Sequence, residues 1–205
     1  MTADTRLIVF ARALRAGQVK TRLIPTYGAE GALAIYRQLL DAALMLASEF
    51  PGPVELLLDQ HDEALCQRAL AAGWRYGLQR GDGLGERMAN ALADALEEQE
   101  CALLIGSDCP VLGQAYLQQA LHALQDRSPV FGASEDGGYV LLASHRRTHW
   151  SPRCFDGVRF GGPDALADSL ACWPSSVAGQ LPALWDVDEA EDVRRAVAEG
   201  ILVTI

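Results

Sequence analysis

Two uninterrupted apolar runs, Leu7-Ile8-Val9-Phe10 and Cys101-Ala102-Leu103-Leu104-Ile105, constrain the fold more than any other feature of the chain. A strand with one wet face alternates apolar and polar residues, so continuous runs this short point to strands buried on both faces. Between them the period changes to that of a helix: Leu33, Tyr36, Leu40, Leu44 and Ala47 recur on one face over about 29–47, ended by Pro51-Gly52-Pro53. The alternation continues with a strand at Val54–Leu58, a helix near Asp62–Ala71, a weaker strand around Trp74–Leu78 and a helix from about Leu84. Beyond 105 the reading is a helix at Gln114–Leu124, strands at Val130–Ala133 and Tyr139–Ala143, a helix opened by Pro163 and running through Leu170, a last strand at Leu184–Val187, and a helix from Glu189. Strands alternating with helices predict an α/β fold with a mostly parallel sheet covered on both faces. Ligands in such sheets bind beyond the carboxyl ends of the strands.

At 205 residues, one core and a single domain over 1–205 are expected. No window carries the ~18 consecutive apolar residues of a membrane span, and the opening residues lack the pattern of a cleaved leader, so a cytoplasmic protein is expected. The five cysteines are widely spaced without a C-x-x-C pair, which argues against a disulfide framework or a zinc site. A net charge of −10 argues against a nucleic-acid surface. A small phosphorylated ligand remains compatible with it, because such a ligand needs only a local positive site or a bound divalent cation. Of the 17 basic residues, 16 are arginine and Lys20 is the single lysine. Where every other cation is a wide planar fork, a lone compact ammonium marks a site that a guanidinium does not fit, unless composition alone accounts for it.

Four polar clusters follow predicted strands. In Arg12–Arg22, Gly17 would let the backbone approach a phosphate while Lys20 and Arg22 donate to it; a solvated basic loop is the plainer alternative. Val19 before Lys20 excludes a P-loop. Gln79-Arg80-Gly81-Asp82-Gly83-Leu84-Gly85-Glu86-Arg87-Met88 follows the third strand, where a dinucleotide or methyl-donor fingerprint would follow the first, so a glycine-rich helix start without a ligand fits better. In Gly106-Ser107-Asp108-Cys109-Pro110 the carboxylate of Asp108 is positioned for Mg²⁺ or Mn²⁺, against a turn-capping role, and Cys109 reads as a packed thiol. Asp136-Gly137-Gly138 and Asp186-Val187-Asp188 supply further acids, with a hairpin turn and a helix cap at Asp188–Glu191 as their structural alternatives.

In this order, Gly17-Gln18-Val19-Lys20-Thr21-Arg22-Leu23, Leu84-Gly85-Glu86-Arg87-Met88, Gly106-Ser107-Asp108-Cys109-Pro110, Asp136-Gly137-Gly138-Tyr139 and Asp186-Val187-Asp188 span most of the chain. They resemble the motifs of the glycosyltransferase-like family in the nucleotide-diphospho-sugar transferase (GT-A, Rossmann-like) superfamily, related to 2-phospho-lactate guanylyltransferase. The resemblance implies a transferase that uses Mg²⁺ or Mn²⁺, a nucleotide sugar or nucleoside triphosphate, and a small-molecule acceptor. It implies nucleotide contacts from Gly17, Lys20, Arg22, Gly85 and Arg87, metal ligation by Asp108 and Asp188, and catalytic roles for Lys20 and for Asp136 beside the acceptor. The chain departs from the family pattern at Arg12, Leu14, Gly83 and Phe160. Glycosyl transfer is the expected reaction and nucleotidyl transfer the alternative; a nucleotide sensor without turnover would need Lys20 and Arg87 but not Asp108.

Overall fold

The computed structural model describes residues 4–203, so the outermost residues of the expected 1–205 domain and the first three of the leader reading lie outside the described part. Seven strands form one sheet: β1 (Thr5–Ala11), β2 (Val54–Leu58), β3 (Arg75–Leu78), β4 (Cys101–Ile105), β5 (Val130–Ser134), β6 (Tyr139–His145) and β7 (Gly179–Leu184). Their spatial order is β3-β2-β1-β4-β6-β5-β7. All run parallel except β6, which is antiparallel to both β4 and β5. The helices are α1 (Ile24–Ser48), α2 (Glu63–Ala71), α3 (Leu84–Glu98), α4 (Gln114–Ala123), α5 (Ala165–Ala171) and α6 (Ala190–Ala198).

The continuous apolar runs are the central strands. Every residue of β1 is buried between β2 and β4, with Leu7, Val9 and Ala11 on one face and Ile8 and Phe10 on the other. On the first face Leu33, Tyr36 and Leu40 of α1, Leu65 of α2 and Leu117 of α4 cover the sheet. On the second, Met88, Leu92 and Leu96 of α3 pack with an aromatic group that includes Phe131, Trp150 and Phe155. Each fully buried Leu, Ile or Phe contributes about 1.5–3 kcal/mol relative to exposure, so these two layers fix the sheet between them. A third cluster lies behind α1, where Ile35 and Leu39 meet Trp185, Val187 and Val193.

Local chemistry sets the element ends. Asp62 caps α2 by accepting from the Leu65 amide at 3.1 Å. Helix α1 extends back to Ile24 beyond the expected start, but Gly28 at φ 70° and ψ 171° breaks it, so the regular part begins where the apolar stripe does. The last strand differs from expectation: it is Gly179–Leu184, not Leu184–Val187. Its partner β5 ends at Ser134, opposite Leu184, so no ladder is available beyond that point. Trp185 and Val187 are buried instead against α1 and α6. The cap expected from Asp188 also differs. Glu189 and Asp192 form the capping box of α6, which leaves the Asp188 carboxylate outside the helix start.

Candidate active site

Because β1, β2, β3, β4, β5 and β7 run the same way, their carboxyl ends share one edge of the sheet, and β6 begins there. A cleft of about 640 Å³ opens along that edge. Its lining takes residues from the loops after β1, β2, β3 and β4, from the start of β6, and from the segment before α6.

Lys20 lines this cleft with a buried side chain. It stands in the left-handed region at φ 45°, ψ 48°, the one non-glycine residue among those described with a positive φ. Such a conformation costs of order 1–3 kcal/mol and persists where the surroundings over-determine it. Here they do: the side chain is 5% exposed, and Nζ lies 2.8 Å from Asp108 Oδ2 and 3.0 Å from Asp188 Oδ1. Arg22 Nη1 donates to the other oxygen, Asp188 Oδ2, at 2.6 Å, and Arg22 Nη2 to the Gly161 carbonyl at 3.3 Å. Burial alone would depress the Lys20 pKa, but Asp108 and then Asp188 outweigh it and hold it above the ordinary value. Burial acts on Asp188 in the opposite sense, and Lys20 followed by Arg22 pulls it below the usual carboxylate range. Lys20 and Asp188 therefore face each other as an ammonium and a carboxylate at neutral pH.

The two acids reach one point because their segments are tied together. Asp108 follows β4, and its carbonyl accepts the Val187 amide at 3.0 Å, which brings Asp188 alongside. Ser107 donates to Asp108 Oδ1 at 3.2 Å and lies 3.1 Å from the Tyr36 hydroxyl. The loop that carries Lys20 is held by residues to which sequence reasoning assigned no role in the site. Asp59 accepts the Ala13 amide at 2.8 Å and Asp62 the Leu14 amide at 3.0 Å. Gln79 Nε2 bridges the carbonyls of Ala11 and Leu57. Asp59 and Gln79 each stand directly after a strand, as Asp108 stands three residues after one, and that position was the available signal. Tyr36 gave none, because it lies on the apolar stripe of α1.

Of the residues singled out, Lys20, Arg22, Arg87, Asp108 and Asp188 line the cleft. Arg87 donates from Nε to the Gly81 carbonyl at 2.9 Å. Three others do not line it. Gly17, at φ 77°, makes a turn in the first loop. Gly85 serves packing: a Cβ there would stand 2.6 Å from Phe155 Cβ and 2.9 Å from Phe160 Cε2. Asp136 sits in the turn between β5 and β6, where Oδ1 accepts the Gly138 amide at 2.8 Å, so its carboxylate serves the hairpin. Its neighbour Asp186 is a perturbed acid. Burial pushes it up to about 6, against the Ser134 hydroxyl, which donates to it at 2.6 Å, and with Asp136 and Asp188 adding to the rise. Burial likewise pushes the Cys109 thiol up to about 12, which suits a packed group and not a nucleophile.

The family model described as "Uncharacterized protein conserved in bacteria (DUF2064)" matches residues 43–162. The chain belongs to that family. No curated protein matches it. Among solved structures, this member of the family is similar to a proposed nucleotide-diphospho-sugar transferase from Desulfovibrio desulfuricans G20, at 27% identity and a TM-score of 0.81, covering 91% of this chain and 83% of that one. The fold is shared more widely. The 4-diphosphocytidyl-2C-methyl-D-erythritol synthase of Anaerococcus prevotii DSM 20548 superposes at a TM-score of 0.59 with 12% identity, over 97% of this chain and 96% of that one. The glucosyl-3-phosphoglycerate synthase of Mycobacterium tuberculosis, solved with Mn²⁺, uridine diphosphate and phosphoglyceric acid, superposes at 0.53 with 12% identity, over 97% and 76%. The architecture is thus that of the nucleotide-diphospho-sugar transferases, and the chain stands among nucleotide-related transferases. Among the described residues no helix is long and apolar enough to cross a membrane.

Proposed function

We propose that this chain is a divalent-metal-dependent transferase that takes a nucleotide-activated donor, and that the group it moves is a glycosyl unit from a nucleotide sugar. The observation that carries this reading is the convergence of Asp108 and Asp188 on the single nitrogen of Lys20, at the carboxyl ends of parallel strands, with Arg22 and Arg87 in the same cleft. Two carboxylates that both stand within 3.0 Å of one cationic centre fit a hard divalent cation. Mg²⁺ in particular is bound through one or two carboxylates plus substrate phosphates. No group of three or more His, Cys, Asp or Glu side chains suited to a metal occurs among the described residues, so the donor's phosphates would have to complete the coordination. Asp108 and Asp188 would hold Mg²⁺ or Mn²⁺, and the ion, when bound, would offset the charge of the donor's diphosphate.

The chain's own side chains would do the rest. Lys20 and Arg22 approach from the loop after β1 and Arg87 from the first turn of α3, a set of fixed donors able to hold phosphate oxygens as the bond from the sugar to the diphosphate breaks. Asp136 is not kept as the base on the acceptor, since its carboxylate is engaged by its own turn. The wide spacing of the cysteines supports a cytoplasmic setting.

A second reading, nucleotidyl transfer from a nucleoside triphosphate, is favoured by Lys20 and Arg22 lying two positions apart on one loop and converging on Asp188, where they could serve a longer phosphate chain. One experiment separates the two. The protein is offered pools of nucleotide sugars and of nucleoside triphosphates with Mg²⁺ or Mn²⁺, and nucleoside diphosphate and pyrophosphate are assayed separately. Diphosphate release from a nucleotide sugar, with slow hydrolysis when the acceptor is missing, is expected. Pyrophosphate release that depends on triphosphate would establish the second reading, and failure of every nucleotide to bind in the presence of metal would overturn both.

A further inference from the structure

The transferase reading asks two things of Lys20 that one ammonium cannot do at once. It is to hold the donor's phosphates, yet its nitrogen stands between the very carboxylates that would hold the metal, with 5% of the side chain exposed. We infer that Lys20 is a stand-in cation, which occupies the position between Asp108 and Asp188 while no divalent ion is bound and is released toward the donor when the ion arrives. The inference rests on the metal-dependent reading above and adds to it a competition between one side chain and the metal.

Charge and confinement both lead there. Two carboxylates directed at one point repel each other, and the arrangement persists only while a cation lies between them. Lys20 supplies that cation, with Nζ 2.8 Å from Asp108 Oδ2 and 3.0 Å from Asp188 Oδ1. A guanidinium could not be substituted easily at a point this enclosed, which gives the chain's lone lysine a physical reason. The left-handed backbone at Lys20 directs the stem inward, and Arg22, on the outer oxygen of Asp188, leaves Asp188 Oδ1 to Lys20.

The effects of removing the ammonium should therefore have opposite signs. A residue that only clamps phosphate would leave metal binding without nucleotide unchanged, and one that only holds the fold would weaken both. The test titrates Mn²⁺, followed by electron paramagnetic resonance, into the full chain without nucleotide, for the parent and for Lys20→Met and Lys20→Ala, with circular dichroism to check folding. Removing a unit charge within 3 Å of the ion position should tighten Mn²⁺ binding by about tenfold or more. Nucleotide affinity in saturating Mn²⁺ should fall in the same variants.

A second measurement needs no variant. Because Lys20 is the only lysine, selective ¹³C-lysine labelling gives a single Lys signal, and saturating Mg²⁺ without nucleotide should move it toward the position and narrow line of a solvent-exposed lysine. Unchanged or weaker Mn²⁺ binding in folded variants, or a Lys20 signal that stays fixed at saturating Mg²⁺, would overturn the stand-in role and leave the transferase reading standing. Absence of Mn²⁺ binding in parent and variants alike, with and without nucleotide, would overturn the metal-dependent reading itself.

Discussion

The Tyr36 hydroxyl lies 3.1 Å from Ser107 Oγ and accepts the Arg12 amide at 2.7 Å, so a single buried phenol joins α1 to the ends of both β1 and β4. Burial, with Asp108 adding to it, pushes its pKa up to about 12 and keeps it a neutral donor and acceptor. Tyr36→Phe strips the Arg12 amide and the Ser107 hydroxyl of a partner, and should cost about 1–2 kcal/mol of stability. Nucleotide affinity should fall several-fold because the loops on which Lys20 and Asp108 sit lose their common anchor. Urea unfolding and calorimetry check the two effects; if neither changes, Tyr36 is a packing residue alone.

Asp108→Ala should abolish metal-dependent nucleotide binding with little loss of stability. Its own side chain is 41% exposed, and the buried Lys20 ammonium it faces keeps Asp188 at 3.0 Å as a partner, so the loss should stay at about 1–2 kcal/mol. Calorimetry with a nucleotide, with and without Mn²⁺, measures the first effect and thermal unfolding the second. Equal affinity in mutant and parent would return Asp108 to a turn-capping role.

Lys20→Arg should weaken nucleotide binding by about tenfold or more, although it preserves charge, because the enclosed place of this side chain, 5% exposed, suits a compact ammonium and not the broad plane of a guanidinium. Direct titration of nucleotide in saturating Mn²⁺ is the measurement. An arginine that binds as tightly would make the lone lysine an accident of composition.

Gly85→Ala should lower stability by about 1–3 kcal/mol, since its Cβ would collide with Phe155 and Phe160 in a packed layer. Differential scanning calorimetry reads this as a fall in the unfolding temperature. A normal unfolding temperature combined with lost nucleotide affinity would instead restore Gly85 as a direct contact to the ligand.

Far from the cleft, a pH effect is set at the other end of the sheet. Hydrogen bonds from Arg75 and then from Arg6 hold the Glu98 carboxyl at about 2, below its ordinary 4.5. A depressed folded-state pKa stabilises the native chain above the unfolded value, so this contribution should be complete above about 4.5 and disappear as pH falls through about 2. Arg75→Ala should raise the Glu98 midpoint toward the ordinary value, as followed by carboxyl-carbon NMR. A midpoint that does not move would assign the depression to Arg6.

What the sequence by itself determined is local or compositional. Cys101–Ile105 was legible to the residue because a strand covered on both faces must be apolar throughout, Val54–Leu58 because Glu55 alone interrupts its apolar run, and the stripe of α1 because burial of one helix face repeats every three to four positions. Lys20 stood out by count alone. The helix cap was misread by one residue, since Asp188 and Glu189 are both acids and only the turn of the backbone decides which one meets the amides of α6. Asp136 was readable as a hairpin residue or as an active-site acid, and its hydrogen bond from the Gly138 amide shows the first role. The antiparallel entry of β6 and the order of the strands depend on crossovers that no local pattern encodes. The site itself is the extreme case: Lys20 and Asp188 are 168 positions apart, and they meet because parallel strands deliver every following loop to one edge of the sheet. Periodicity can say which residues are buried and which loops follow strands, but the meeting of one ammonium with two carboxylates is a property of the packed sheet.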